Sequence, residues 1–433
     1  MNKSPHTSIY GMPYFPGSAR GVLCRGVDGI TTNSIALLSS SEIQSITALP
    51  AGFIIVEGAP FSHTAITLFG YGVPSVIISE QQALELTEGT SLFLDGSTGQ
   101  ITSNIEIKGG QAHELPQLRA RQTVLTASGE AVKLCASVRS VEAAQYAAKI
   151  GAESIGLVRS EFLLPDDDRV PDQEFYRSTF HELCEGAGPL SVTIRLLDIA
   201  ADKMPGWMPA SDMPAGALGM QGVRLYGIEP VRSVIEAQLS AINAIANQFN
   251  IRLLIPYLVR YEELKFWRDW VCERLSQTLE IGAMAETPSS VLDIHNWFDH
   301  ADFIAIGCND LMQCLFAADR DKSELRRYLD PYAPILFRIF KQVADSAGGN
   351  LGRVQLCGVL PQLQGVLPVL LGLGYRVFSV DAQFIPYLEK TVNSIKLADA
   401  ERLATEVCDA TESQEVLEIL RLPIDRHLSF QVG

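Results

Sequence analysis

Between about residue 130 and residue 422 the chain alternates short runs of apolar residues with longer amphipathic stretches. The runs are VKLCA from 132, SIGLV from 154, VTIRLLD from 192, LLIPYL from 253, IGAMA from 281, FIAIG from 303, VQLCG from 354 and VFSV from 377. Short, nearly unbroken apolar runs predict strands buried on both faces, and the intervals between them are long enough for helices. Eight such repeats predict an α/β fold, a (β/α)8 TIM barrel, whose chemistry is carried at the C-terminal ends of its strands. The reactive residue types fall there. Arg159 and Glu161 follow the second run, Arg195 and Asp198 finish the third, Glu286 follows the fifth, Asn309 and Asp310 follow the sixth, and Cys357 ends the seventh.

Ahead of the barrel, residues from about 8 to 103 form shorter apolar runs punctuated by Gly, Ser and Pro. They predict a smaller mixed α/β domain that opens with IYGMPYFPGSARGVLCRG and closes with SLFLDGSTGQITS, where DGSTG is a hairpin signal. Within it, GFIIVEG reads as a buried strand. After Ser62, apolar residues at Ala65, Ile66, Phe69 and Tyr71 have roughly the spacing of a short helix. Ser62 is its natural N-cap, which puts His63 on the first turn, where unpaired N–H groups and the dipole favour an anion. A histidine so placed could carry a phosphoryl group; an ordinary Ser-His cap accounts for the same spacing. The polar stretch IKGGQAHELPQLRARQTV reads as a linker with one helix, although an extra helix packed on either domain fits equally. The expected boundaries are 1–103, a linker 104–129, and the barrel 130–433.

Composition narrows the possibilities. At 433 residues and 47% hydrophobic, the chain can hold two or three cores of good size. A formal charge of −16 argues against nucleic acid and anionic membranes as partners, so an anionic substrate must be met by a local arginine cluster. The N-terminal MNKSPHTSIYGMPYFPG lacks a signal-peptide core and no apolar run reaches membrane-spanning length, which predicts a cytoplasmic protein. Eight cysteines without CxxC pairs predict free thiols.

The stretch GAPFSHTAITLFGYGVPSVI resembles the phosphohistidine segment of the phosphoenolpyruvate-utilising enzymes. That family includes enzyme I of the sugar phosphotransferase system, pyruvate phosphate dikinase and phosphoenolpyruvate synthase. Ser62, His63, Ala65, Ile66, Gly72, Val73 and Pro74 match its signature. Phe61 stands where enzyme I tends to have threonine, and Leu68 or Phe69 replaces the usual basic residue. In the barrel, GAESIGLVRSEFLL, IRLLDIAADKMP, ALGMQGVRL, AMAETPSS, IGCNDLMQCLFAADR, LCGVLPQ and VLLGLGYRVFSVD resemble the family's phosphoenolpyruvate-binding motifs, in the same order.

The resemblance implies a chemistry and a site. Phosphoenolpyruvate offers a carboxylate and a phosphate, which planar guanidinium groups grip well. Arg159, Arg195, Arg224 and Arg320 are the matching residues, with Asn309 as a neutral donor. Glu286 and Asp310 match the ligands of a magnesium ion (Mg2+); by its own context Glu286 could instead cap a helix beginning at Thr287-Pro288. Cys357 matches the cysteine that protonates the departing enolate to give pyruvate, a role open to a thiol as general acid. His63 would take the phosphoryl group and pass it to an acceptor the sequence does not identify. Enzyme I carries a helical insertion that docks its phosphocarrier, and the interval from Arg25 to Pro50 is too short for one; no stretch is long enough for the dikinases' ATP-binding domain. A homodimer through the barrel is implied by the relatives.

The chain departs from the family pattern at Met220-Gln221, at Val359-Leu360-Pro361 after Cys357-Gly358, and mildly at Ser160; the Asp202-Lys203 pair is kept. These changes motivate an alternative, a phosphoenolpyruvate-binding sensor without turnover. Retention of His63, the arginines, both metal ligands and Cys357 together favours the enzyme.

Overall fold

The structure, a computed structural model, describes residues 8–58, 68, 71–103, 123–165, 167–200, 204–208, 216 and 218–422. His63 and the rest of its segment between 59 and 67 lie outside the described residues, as do Asp202, Lys203 and most of the stretch read as a linker. The chain divides into two compact units. One comprises residues Met1–Gln117, Asp319–Tyr328 and Asp425–Gly433; the other comprises Leu118–Ala318 and Leu329–Ile424. Among the described residues no helix is long and apolar enough to cross a membrane.

The first unit is built on an eight-stranded mixed sheet: β1 Ser8–Tyr10, β2 Met12–Phe15, β3 Ser18–Arg25, β4 Ser34–Ser39, β5 Gly52–Val56, β6 Ser75–Ile78, β7 Ser91–Asp95 and β8 Gln100–Ser103. Its spatial order is β1-β8-β7-β3-β4-β5-β6-β2. The middle strands β3 to β6 run parallel, and β4 (SIALLS) and β5 (GFIIV) are buried along nearly their whole length, as unbroken apolar runs require. Leu23, Ile35, Leu37, Ile54, Val76, Ile78 and Leu94 form the core. DGSTG makes the expected hairpin between β7 and β8. Asp95 Oδ1 accepts from the backbone N–H groups of Ser97 and Thr98 at 2.8 and 3.3 Å, and Gly99 takes φ +76° where any Cβ would collide with the Gly11 carbonyl. The interval from Gly26 to Ala51 is occupied by β4 and the short helical turn Ser40–Ser45.

The second unit is a closed barrel of eight parallel strands: β10 Ala131–Val138, β11 Ile155–Arg159, β12 Val192–Arg195, β13 Ile251–Leu258, β14 Glu280–Ala285, β15 Ile304–Gly307, β16 Val354–Cys357 and β17 Val377–Asp381. They pair in sequence order, and β10 pairs with both β17 and β11, which removes the sheet edges. Each of the eight apolar runs read from the sequence overlaps one of these strands, VTIRLLD running three residues past the end of its strand at Arg195. At the end of the stretch read as a linker, Val124–Leu125 forms β9, antiparallel to the start of β10. The surrounding helices are amphipathic. In Pro334–Ala347, for example, Leu336, Phe337, Phe340 and Val343 are buried, proline fills the first turn where no N–H is needed, and Arg338, Lys341, Gln342 and Asp345 are exposed together with Ile335. Because all the strands are parallel, their C-terminal ends deliver side chains to a single rim.

Candidate active site

Arg159 and Arg195 end adjacent strands and stand opposite each other in the ladder. Glu161, in the turn Ser160–Phe162 after β11, lies between them. One of its oxygens, Oε1, accepts from Arg159 Nε at 3.1 Å and from Arg195 Nη2 at 2.6 Å. Arg195 Nη1 is also 2.8 Å from Asp198 Oδ2 and donates to Met284 Sδ at 3.4 Å. Burial works against charging Arg195, but the carboxylates of Asp198, Glu161 and Glu286 outweigh it and hold the guanidinium above its ordinary pKa. Arg159 is further packed over the Phe162 ring at 4.6 Å. Two cations are thus fixed in orientation by one buried carboxylate before any ligand arrives.

Glu286 follows β14 directly and is 2% exposed. Its Oε1 accepts from Tyr257 N at 3.1 Å, and a Cβ on Gly307, at the end of the next strand, would collide with its carboxylate. Burial raises its pKa well above the carboxylate range; Asp310 and Asp198 push the same way, while Arg195 and the Tyr257 N–H oppose them. The helix Pro288–Leu292 is capped by Thr287, whose side chain accepts from Ser290 N, so helix capping leaves Glu286 free for another role. Asp310 lies in the first turn of the helix Cys308–Leu315. Among the described residues no group of three or more His, Cys, Asp or Glu is arranged to hold a metal alone. Two hard carboxylates without a third suit a cation that completes its shell with substrate oxygens and water, as magnesium does.

Asn309 uses its Oδ1 to accept from Val359 N at 3.1 Å. That bond fixes which way the amide faces and leaves its NH2 as the donor end. Cys357 ends β16 and is 1% exposed, packed with Leu157, Leu254, Met284, Phe303 and Ala305 inside the barrel. Burial pushes its thiol up to about 12, against a lowering hydrogen bond from Gln355 and a smaller pull from Arg195.

Arg224 sits on the turn Gly222–Leu225, donates to Gly219 O at 3.0 Å and stands 5.4 Å over the Tyr257 ring. Arg320 is buried and lies in the segment Asp319–Tyr328, which groups with the first unit. The barrel therefore brings together Arg159, Arg195, Asn309, Glu286, Asp310 and Cys357, with Arg224 reaching them through Tyr257.

Tyr257 was not singled out from the sequence. It adopts φ +46°, rare for a bulky side chain, and thereby presents its N–H to Glu286 while its ring supports Arg224. Its hydroxyl is hydrogen-bonded by Gln221, which is 5% exposed, so this departure from the family pattern is built into the wall of the site. Gly222 permits the contact: it has φ +53°, and a Cβ there would lie 2.5 Å from Tyr257 Cβ. No periodicity in the sequence signals a positive φ at a tyrosine.

A parallel barrel whose rim gathers fixed guanidinium groups, paired carboxylates and a buried thiol defines an enzyme class that acts on a small, multiply charged anion. Comparison with known proteins makes this specific. Residues 113–397 match the family described as PEP-utilising enzyme, PEP-binding domain, and residues 36–99 match PEP-utilising enzyme, mobile domain. The chain belongs to the phosphoenolpyruvate-utilising enzyme family, as a member of its phosphotransferases with a phosphohistidine mobile domain. It is 32% identical over 377 residues to a phosphoenolpyruvate-protein phosphotransferase of Streptomyces coelicolor, covering 85% of this chain and 67% of that one. A protein of the same name from Haloferax volcanii is 29% identical over 386 residues, covering 86% and 68%. Multiphosphoryl transfer protein 2 of Escherichia coli is 26% identical over 443 residues, covering 95% of this chain and 51% of its own length.

Proposed function

We propose that the protein transfers the phosphoryl group of phosphoenolpyruvate to its own His63, releases pyruvate, and passes the phosphate to a further acceptor. The observation that carries this reading is the Arg159–Glu161–Arg195 cluster on the same rim as Glu286, Asp310 and Cys357. Arg159 and Arg195, joined by Arg224, supply planar donors for the carboxylate and phosphate, and the Asn309 NH2 adds a neutral donor, whereas a substrate role for Arg320 rests on the family resemblance alone. Glu286 and Asp310 would hold magnesium, which when bound neutralises charge on the transferring group. The imidazole of His63 forms the new N–P bond as the P–O bond of the phosphate ester breaks, and the electron pair of that bond stays on oxygen as the enolate of pyruvate. Cys357 then gives its S–H proton to the methylene carbon, completing the methyl group, and regains a proton from solvent.

Between β3 and β5 the chain supplies only β4 and one helical turn, so an acceptor that docks on a helical insertion at that point is disfavoured. The acceptor is a small molecule or a protein recognised elsewhere. A cytoplasmic homodimer joined through the barrel fits the resemblance to enzyme I. The sensor alternative rested partly on Gln221. Its burial and its bond to Tyr257 are those of a structural residue and do not favour loss of turnover.

The test is to incubate the protein with phosphoenolpyruvate and magnesium and to measure pyruvate together with acid-labile phosphate on the protein. Both should appear in equal amounts, and His63→Ala should abolish both while still binding phosphoenolpyruvate. Labelling that survives His63→Ala refutes the assignment.

A further inference from the structure

The side chain of Gln355 has no part in the chemistry described so far, yet it is polar, 3% exposed, and two residues before Cys357 on β16, so both point into the barrel interior. Its amide nitrogen Nε2 donates to Gly156 O on β11 at 3.0 Å and to Cys357 Sγ at 3.1 Å. The first bond settles the orientation of the amide. A backbone carbonyl can only accept, so the atom facing it is the NH2 group, and that group has a second hydrogen to give. The second hydrogen goes to the sulfur of Cys357.

We infer that Gln355 is a positioning residue for the proton transfer: it holds the Cys357 sulfur as an acceptor and supports the thiolate that forms when the proton leaves. This rests on the reading of Cys357 as the proton donor. The argument has two parts. With one sulfur lone pair engaged by Nε2, the S–H bond of Cys357 is turned away from Gln355. The proton itself is therefore not tied up in the glutamine contact.

The second part concerns charge. Donating a proton leaves a negative sulfur among Leu157, Leu254, Met284, Phe303 and Ala305, surroundings that offer little solvation. Burial raises the Cys357 thiol, and Gln355 is the strongest influence acting in the opposite direction. A hydrogen bond to an ionised acceptor is roughly twice as strong as one between neutral groups. The Gln355–Cys357 bond therefore tightens as charge develops on sulfur, and an interaction stronger in the transition state than in the ground state accelerates the step. A glutamine serving only to satisfy the Gly156 carbonyl would have no such dependence.

The experiment separates the two chemical steps. Gln355→Met keeps length and approximate volume but removes both N–H donors. Wild type, Gln355→Met and Cys357→Ala are each mixed with phosphoenolpyruvate and magnesium, and two signals are followed in one rapid-quench series: acid-labile phosphate on the protein, and pyruvate. In the expected result all three proteins form the adduct at similar rates, while pyruvate lags behind the adduct in both variants. The lag corresponds to a step about 10- to 100-fold slower in Gln355→Met, the range for a lost hydrogen bond to a charged group. Prompt pyruvate from Gln355→Met with a lag in Cys357→Ala overturns the inference and leaves the proton donor in place. Prompt pyruvate from Cys357→Ala overturns both. Equal slowing of adduct and pyruvate in a folded Gln355→Met also overturns the inference, because it marks a purely structural role. If methionine is not tolerated in the barrel, Gln355→Leu is read by the same criteria.

Discussion

Replacing Glu161 by Gln tests whether the arginine pair is pre-organised. The substitution is nearly isosteric and keeps one acceptor oxygen, but it removes the charge shared by Arg159 Nε at 3.1 Å and Arg195 Nη2 at 2.6 Å. Removing one partner of a buried ion pair costs about 3–5 kcal/mol, because the other charge is stranded. Here Asp198 still faces Arg195 at 2.8 Å, so the loss should sit nearer the value of one charged hydrogen bond, about 2 kcal/mol. At roughly 1.6 °C per kcal/mol for a unit of about 300 residues, the melting temperature should fall by about 3 °C. Freed guanidinium groups must also be ordered by the ligand. Phosphoenolpyruvate should therefore bind about tenfold more weakly, equivalent to ~1.4 kcal/mol, in calorimetric titration with magnesium present. Glu174→Gln is the control: its pairing with Arg177 is exposed and screened by solvent, so neither measurement should move appreciably. If Glu161→Gln melts within about 1 °C of wild type and binds phosphoenolpyruvate equally well, the idea of a preset arginine pair is wrong.

Three further outcomes follow from the same geometry. Magnesium should raise the melting temperature of the wild type by mass action, and Glu286→Gln and Asp310→Asn should each erase the shift; a shift that persists in both moves the cation elsewhere. Gly222→Ala should destabilise the barrel by about 1–3 kcal/mol, because the added Cβ meets Tyr257 and the residue has φ +53°, and a variant with wild-type melting would contradict that contact. Asp381 ends β17, about one-fifth exposed and 4.0 Å from Arg139, and burial raises its pKa above 3.8 despite that arginine. A raised folded-state pKa means that its stabilising contribution is full below 3.8 and lost as pH rises through the folded value. Asp381→Asn should thus gain stability relative to wild type as pH is raised from about 4 to 7 in urea titrations, and a constant difference across that range would refute the sign.

The barrel was legible because each of its strands is a nearly unbroken apolar run. Such runs have one stable placement, between other strands and a shell of helices, so VTIRLLD, FIAIG and VQLCG identified both the strands and the rim. The rim residues followed from counting to the end of each run. How those residues hold one another was not legible. That Glu161 joins Arg159 to Arg195 depends on the ladder register between β11 and β12, and sequence order does not encode register between strands whose faces are both apolar. The capping role open to Glu286 was likewise not excluded until the cap was seen to belong to Thr287.

The positions that sequence reasoning passed over share a physical feature: each breaks a local preference that the rest of the barrel obeys. Tyr257 has a backbone conformation that bulky residues avoid, and Gln355 places an amide in a strand otherwise fully apolar up to its cysteine. Either departure costs stability unless its polar groups are matched, and both are matched by groups of the site: the Tyr257 N–H by Glu286, and the Gln355 NH2 by Cys357 and Gly156. A polar residue within an apolar strand can be noticed in sequence, and at Gln355 it stands two residues from the thiol. A positive φ has no such mark. Searching apolar strands for a lone amide one pleat before a reactive residue would have found Gln355, whereas Tyr257 needed coordinates.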